Sequence, residues 1–311
     1  MKALLPAPAR SIIETRLSGD LDVTWFATRE EALAGIADAE IAWIDLPGTG
    51  LIRDAIGRAA RLKWLNTVLA GVDFLDLAGL KARGVTLTNG SGINAIAVAE
   101  YALLAILSAA KRFDQVVRLA DKREWSTDAP GKAELYETSA LIIGFGTIGR
   151  MIADRLAPFG VAVTGVTRSG RDGTLGPDQW QARLGAFDWV ILTAPSTAET
   201  KALIGADELA AMKPSAWLLN FARGDMVDDK ALIEALEQRR IAGAFLDTVT
   251  PEPLPPEHPL WSAPNTIHSL HLSGRSQTRM FERGAHLFLE NLEAFLGGKP
   301  MRNVVNLDAG Y

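Results

Sequence analysis

The fold is decided by the stretch Leu141-Ile142-Ile143-Gly144-Phe145-Gly146-Thr147-Ile148-Gly149. It places a short apolar run, typical of a buried strand, directly before a GxGxxG turn and the start of a helical pattern. We expect Gly144 to allow the tight turn, Gly146 to let a pyrophosphate approach the backbone, and Gly149 to let helix and strand pack closely. The sequence therefore predicts a dinucleotide-binding turn whose candidate residues are Gly144, Phe145, Gly146, Thr147, Ile148 and Gly149.

Strand-like runs alternate with helical patterns on both sides of this turn. Apolar runs predict strands at 2–5, 23–26, 41–44, 64–69 and 85–88, and then at 140–143, 161–166, 189–193, 216–220, 241–246 and 266–270. Helical spacing is found at 30–36, 73–82, 94 to about 113, 147–157, 179–184, 206–212, 230–238 and 277–296. A polar loop is expected at 121–132. This alternation is typical of parallel sheets whose strands are joined by helices.

The length of 311 residues favours two domains rather than a single core. Because the last helical segment follows a completed second sheet, we expect it to return to the first domain. The predicted fold class is α/β with two doubly wound parallel-sheet domains. A Rossmann dinucleotide-binding domain at 96–276 is inserted in a flavodoxin-like substrate-binding domain formed by 1–95 and 277–311.

Composition narrows the class of protein. The net charge of −5 argues against nucleic acid and anionic membranes as partners, and the absence of cysteine excludes disulfides and thiolate metal sites. The first residues lack the apolar core of a signal peptide, and the apolar stretch 95–110 is too short to span a bilayer. No metal-ligand spacing such as HxxxH is found. We expect a cytoplasmic protein that binds a small molecule and no metal.

The loop after the second strand of the second sheet indicates which nicotinamide cofactor binds. NAD-binding proteins place a carboxylate there for the ribose 2′-hydroxyl, whereas this chain reads Thr167-Arg168-Ser169-Gly170-Arg171. Arg168 and Arg171 can pair with a 2′-phosphate, and Ser169 can donate a hydrogen bond to it. The sequence therefore favours NADP (NADPH) over NAD. The alternative is a solvated loop that is basic by chance.

Three predicted strand ends carry the candidate catalytic residues Arg223, Glu252 and His271. Ligands of open α/β sheets bind outside these carboxyl ends. Arg223 can hold a carboxylate in two places, His271 can donate a proton near neutral pH, and Glu252 can stabilise the imidazolium. Each residue alone has a structural alternative, but together they favour reduction of a 2-keto acid.

These segments resemble the D-2-hydroxyacid dehydrogenase family (D-isomer specific), and within it the glyoxylate/hydroxypyruvate reductases. The resemblance runs from Ala70-Gly71-Val72-Asp73 through the glycine turn to Glu252-Pro253-Leu254 and His271. It implies a homodimer, a D-2-hydroxy acid product and an Arg–Glu–His catalytic set. It also implies that Asp247 holds the nicotinamide amide and that the backbone of Ala70, Gly71 and Val72 binds the substrate carboxylate, with Arg223 and His271. Ala194 and Pro195 complete the candidate cofactor-binding residues.

The chain departs from the family at its histidine. The family commonly has Thr-Pro-His, whereas this chain has Ser269-Leu270-His271, with His268 as a rival proton donor. Ser273-Gly274-Arg275 also replaces a more apolar continuation. We expect NADPH-dependent reduction of a glyoxylate- or hydroxypyruvate-like keto acid with His271 as the donor. The alternatives are an NAD-linked family member with another substrate and a non-catalytic protein that senses nucleotides.

Overall fold

The computed structural model describes residues 1–46 and 50–310, and the chain divides into two compact units. Unit 1 comprises Met1–Asn94 and Gln277–Tyr311, and unit 2 comprises Ala95–Ser276. The binding roles expected for the two units stay predictions.

The elements alternate along the described residues. The strands are β1 (Lys2–Pro6), β2 (Asp22–Phe26), β3 (Ile41–Trp43), β4 (Trp64–Asn66), β5 (Thr86–Thr88), β6 (Ser139–Ile143), β7 (Ala162–Val166), β8 (Trp189–Leu192), β9 (Trp217–Asn220), β10 (Gly243–Leu246) and β11 (Thr266–His268). The α-helices are α1 (Arg10–Ile13), α2 (Arg29–Gly35), α3 (Gly50–Ile56), α4 (Leu77–Ala82), α5 (Ala95–Lys111), α6 (Phe113–Lys122), α7 (Thr147–Leu156), α8 (Ala206–Ala211), α9 (Asp229–Glu237) and α10 (Met280–Leu296).

Unit 1 is built on a parallel sheet of order β2-β1-β3-β4-β5. This is the order of flavodoxin-like folds. Strands β3 and β4 of this sheet are short runs in which every residue is buried, as is typical of the inner strands of a parallel sheet. Aromatic rings join the sheet to α10, with Trp64 and Phe288 stacked at 5.1 Å between centroids.

Unit 2 is built on a second parallel sheet of order β11-β10-β9-β8-β6-β7. The strand order reverses between β6 and β8, and a crevice outside the carboxyl ends of the strands is expected at such a switch point. Two parallel sheets with interleaved helices confirm the predicted fold class. In the part of the chain that the structure describes, the helices are too short or too polar to cross a membrane.

Several predicted elements differ in extent. The helix predicted from 73 begins at Leu77, because the Asp76 side chain accepts a hydrogen bond from Gly79 N and caps the helix there. The segment predicted as a helix at 179–184 is a 3₁₀-helix at Gln181–Ala186, a form common in such short pieces. Helices α1 and α3 were not predicted, and neither was α6, which is separated from α5 by left-handed Arg112 (φ 48°). The polar loop predicted from 121 therefore begins only after Lys122.

Two strands end earlier than predicted. The strand predicted at 64–69 stops at Asn66, because Val68 N donates to the Asp45 side chain instead of continuing the sheet. The strand predicted at 266–270 stops at His268, because Leu270 and His271 have left-handed backbones that no strand accepts.

Candidate active site

The glycine turn after β6 has the shape that a pyrophosphate needs. Gly144 has φ 99°, and a Cβ there would overlap Ala194 N. A Cβ at Gly149 would lie 2.7 Å from Gly144 O, so close packing of α7 requires glycine at this position. Nothing lies within 4 Å of a Cβ built at Gly146, and α7 begins without a side-chain cap. The open space and the first N–H groups of α7 therefore fit a bound diphosphate.

The loop after β7 is held in one shape by two threonines. The hydroxyls of Thr167 and Thr174 lie 2.7 Å apart, Gly170 N donates to Thr167 Oγ1 at 3.1 Å, and Thr174 Oγ1 donates to Arg171 O at 2.6 Å. The side chains of Arg168, Ser169 and Arg171 are exposed on this loop. Exposed guanidinium groups on a fixed loop are available to hydrogen-bond a bound anion.

Arg223 follows β9 on a turn shaped by a buried asparagine. Asn220 accepts a hydrogen bond from Ala222 N at 3.0 Å and donates to Arg223 O at 2.8 Å, so one side chain closes the turn from both sides. A Cβ at Gly224 would overlap the backbone of Val249. The turn that carries Arg223 therefore packs directly against the loop that leads to Glu252.

Glu252 and His271 are 19 residues apart in the chain and form a direct pair. His271 Nδ1 lies 2.7 Å from Glu252 Oε2, and both side chains are partly exposed, at 39% and 37%. Burial alone would raise the pKa of Glu252. The hydrogen bond and charge of His271, the Val249 N–H and the charge of Arg223 more than offset burial, so the pKa of Glu252 is lowered. Glu252 is therefore a carboxylate at neutral pH.

Asp247 follows β10 and holds the loop that carries His271. Its buried carboxylate accepts hydrogen bonds from Ser269 Oγ at 2.7 Å, from Ser273 N at 3.2 Å and from Ser273 Oγ. The carbonyl of Asp247 also accepts from His271 N at 2.6 Å. The nicotinamide contact expected of Asp247 stays a prediction, and its carboxylate already has these protein partners.

His268 occupies a different environment from His271. Its Nε2 lies 3.0 Å from Leu260 O, and its ring contacts Trp261 at 4.9 Å between centroids. Burial lowers the pKa of His268, the charge of His258 lowers it further, and the bond to Leu260 O only partly opposes this. His268 is therefore a neutral imidazole with one nitrogen already engaged.

In unit 1, the segment Ala70–Val72 leaves three successive N–H groups without a protein acceptor among the described residues. The carbonyls here are engaged instead, because Gly90 N donates to Leu69 O at 2.9 Å and Asn89 Nδ2 donates to Ala70 O at 2.7 Å. Three adjacent N–H groups that lack a protein acceptor are available to an anion. This availability suits the predicted carboxylate-binding role.

Asp45 fixes the start of that segment. Its buried carboxylate accepts hydrogen bonds from Val68 N at 2.6 Å, Thr67 Oγ1 at 2.7 Å and Trp43 Nε1 at 2.7 Å. Burial raises the pKa of Asp45, although these three hydrogen bonds oppose the rise. The polar contacts of Asp45 lie entirely within unit 1.

The structure thus brings Arg223, Glu252 and His271 to neighbouring strand ends of unit 2, and it places Ala70–Val72 in unit 1. Sequence reasoning missed the residues that shape these loops, which are Asp45, Asn220, Ser269 and Ser273. For Asp45 and Asn220, the signal in the sequence was a polar residue directly after an apolar run. The described residues contain no group of three His, Asp or Glu side chains that could hold a metal ion.

Comparison with known proteins shows which family has these features. The family model for the D-isomer specific 2-hydroxyacid dehydrogenase NAD-binding domain matches residues 103–273. The chain is 32% identical over 264 residues to a glyoxylate/hydroxypyruvate reductase B of Pectobacterium atrosepticum, covering 82% of each protein. It is 30% identical over 295 residues to a D-3-phosphoglycerate dehydrogenase of Methanocaldococcus jannaschii. That match covers 93% of this chain and only 56% of the relative.

A solved structure with the same fold carries a cofactor. It is an NADPH-dependent glyoxylate/hydroxypyruvate reductase from Sinorhizobium meliloti in complex with NADP and malonate. The TM-score is 0.79 and the sequence identity 26%, with 99% of this chain and 97% of that chain covered.

Proposed function

Since this chain belongs to the D-isomer specific 2-hydroxyacid dehydrogenase family, we propose that it reduces a small 2-keto acid to the D-2-hydroxy acid with NADPH. Membership of this family identifies the chain as a nicotinamide-dependent oxidoreductase. The observation that carries the proposal is the 2.7 Å contact between His271 Nδ1 and Glu252, next to the turn of Arg223. A positioned imidazole with a carboxylate behind it is the arrangement that general acid catalysis requires.

In the proposed mechanism, the side chains of unit 2 prepare a carbonyl for reduction. NADPH, when bound, supplies the hydride. Arg223 binds the substrate carboxylate and polarises the carbonyl. The N–H groups of Ala70–Val72, in unit 1, also suit a carboxylate. Glu252 accepts the hydrogen bond from Nδ1 of His271 and stabilises the imidazolium. His271 therefore holds its proton on Nε2, ready for transfer to the oxygen as it becomes an alkoxide.

The cofactor preference rests on the loop after β7. Arg168, Ser169 and Arg171 are exposed on a loop fixed by Thr167 and Thr174, and they suit a 2′-phosphate. We expect Arg168→Ala with Arg171→Ala to raise the KM for NADPH at least about tenfold, as loss of charge-assisted hydrogen bonds predicts. The KM for NADH should change little. Equal changes in both KM values would contradict the NADP assignment.

The substrate class is tested with a panel of keto acids. NADPH and NADH oxidation is followed with glyoxylate, hydroxypyruvate, pyruvate and a phenyl-substituted keto acid. Turnover of glyoxylate or hydroxypyruvate with NADPH supports the proposal. Turnover of another substrate with NADH would indicate the NAD-linked alternative, and NADPH binding without any turnover would indicate the non-catalytic alternative.

We further propose that the protein is a cytoplasmic homodimer that pairs through α6. None of the residues of α6 is buried, although Phe113, Val116 and Val117 are apolar. Trp125, in the loop that follows, is 95% exposed. An apolar surface of this kind on a small-molecule enzyme fits a second copy of the chain. Sedimentation equilibrium tests this, and a monomer at micromolar concentration would contradict it.

A further inference from the structure

We propose that Ser269, Ser273 and Asp247 together form a positioning device that aims His271 at the substrate. This inference rests on the proposed function, because it assigns these residues to the proton donor of that reaction. It goes beyond the nicotinamide contact expected of Asp247. The device compensates for the Ser269-Leu270-His271 sequence, in which leucine stands where the family commonly has proline.

The backbone at His271 needs support because it is left-handed at two successive residues. Leu270 has φ 57° and His271 has φ 55°, and neither is a glycine. Residues with a Cβ populate this region sparsely, and they persist there only when surrounding contacts hold them. Proline, fixed near φ −65°, cannot adopt the conformation of Leu270. The loop therefore follows a path that a proline at this position would forbid.

The contacts that hold this path lie on both sides of His271. Ser269, two residues before it, and Ser273, two residues after it, both donate hydroxyl hydrogen bonds to the Asp247 carboxylate. Ser273 N donates to the same carboxylate, and His271 N donates to the Asp247 carbonyl. Asp247 and both serines are buried, so these bonds do not compete with bulk water. One aspartate therefore fixes the loop before, at and after the histidine.

The imidazole is fixed by a separate contact. Its Nδ1 is bound to Glu252, and among the described residues its Nε2 has no protein partner. Two anchors therefore determine where Nε2 lies, since Asp247 sets the backbone and Glu252 sets the ring. Loss of the Asp247 contacts still allows the hydrogen bond between His271 and Glu252. It moves the imidazole away from the position that proton transfer requires.

The experiment is a double-mutant cycle between the serines and His271. The variants are Ser269→Ala with Ser273→Ala, His271→Asn, and all three changes together, with Ser276→Ala as a matched control. Ser276 lies in the same segment, and its hydroxyl makes no hydrogen bond within the described residues. Single-turnover rates at high enzyme concentration are measured with NADPH and the best keto acid of the panel. The Kd for NADPH is measured in parallel, which also shows that each variant is folded.

The proposal predicts a loss of single-turnover rate that occurs only when His271 is present. The serine pair should lower the single-turnover rate about tenfold to hundredfold, as misplacement of a reacting group by about 1 Å does. The same pair should change the rate less than about twofold in the His271→Asn background, because residues that act as a unit are not additive. The Kd for NADPH should stay within about twofold, because the Asp247 carboxylate remains.

Other outcomes overturn the inference. If the Ser269→Ala, Ser273→Ala variant turns over as fast as the Ser276→Ala control, the two serines do not position the donor. An equal loss in both backgrounds shows a general structural role, and a weakened NADPH affinity with little loss of rate shows a cofactor role. If the Ser269→Ala, Ser273→Ala protein does not bind NADPH, Ser273→Ala alone gives the same cycle. A wild-type rate for His271→Asn overturns the proposed function as well.

Discussion

The two units contain the same side-chain arrangement, in which a buried aspartate accepts hydrogen bonds from a neighbouring loop. Asp45 in unit 1 and Asp247 in unit 2 are buried aspartates beyond the carboxyl end of a strand. Each accepts hydroxyl and backbone hydrogen bonds from the loop that follows the neighbouring strand. A buried carboxylate bonded in this way fixes a loop that the sheet itself no longer holds.

The difference between them lies in the loops that they fix. The segment held by Asp45 has no left-handed residue, and it leads to Ala70–Val72, whose N–H groups have no acceptor in the described part of the chain. The segment held by Asp247 is left-handed at Leu270 and His271 and presents the imidazole of His271. In the proposed function, this arrangement therefore prepares an anion site in one unit and aims the proton donor in the other. Loss of Asp45 should weaken substrate binding, whereas loss of Asp247 should slow the reaction.

Among changes that leave His271 in place, the largest effect is expected for Asp247→Asn. Asparagine offers one acceptor oxygen where Asp247 has two, so at least one donor of the His271 loop must turn or lose its partner. We expect kcat for keto acid reduction to fall about 10²-fold or more. The matched control is Asp188→Asn, because Asp188 also accepts from a serine backbone and hydroxyl but precedes β8, away from the site. A kcat within threefold of wild type for Asp247→Asn would contradict the role given to Asp247.

A smaller effect is expected for Asp45→Asn. The same loss of an acceptor releases Thr67 or Val68, so the N–H groups of Ala70–Val72 are less well ordered. We expect the KM for the keto acid to rise about tenfold, because binding of its carboxylate loses about 1.4 kcal/mol, while the Kd for NADPH is unchanged. Steady-state kinetics with NADPH saturating measures this. A fall in kcat with an unchanged KM would show that Asp45, like Asp247, affects the rate of the reaction and not substrate binding.

The smallest effect is expected for Glu252→Gln, which alters the ring anchor and leaves both aspartates intact. The lowered pKa of Glu252 keeps it ionised at neutral pH, where its charge favours the imidazolium. Without that charge the donor is less well supported as the pH rises, so the basic limb of the kcat/KM profile should move to lower pH. Activity at pH 5.5 to 6 should be retained better than at pH 8. An unmoved limb would contradict the role given to Glu252.

The strands and the glycine turn could be predicted because their signal is local. The runs that became β6 and β8 are apolar over four or five residues, and the three glycines have fixed spacing. The candidate catalytic residues could be predicted because they follow such runs. The ligands proposed for the site rest on residue types, and those are visible in the sequence.

The remainder depends on contacts between distant residues. Ser273 bonds to a carboxylate 26 residues earlier, and nothing in its own neighbourhood marks that bond. The left-handed backbone of Leu270 and His271 has no glycine to signal it. The sequence did not indicate α6 because none of its residues is buried, and its apolar side chains join no core cluster of the described residues.

The central claim is that His271, supported by Glu252, donates the proton to a bound keto acid. The most direct test is the single-turnover rate of His271→Asn with NADPH and glyoxylate or hydroxypyruvate. We predict a loss of about 10²–10⁴-fold, the range typical of general acid catalysis, with an unchanged Kd for NADPH. A rate close to that of the wild type would contradict the account.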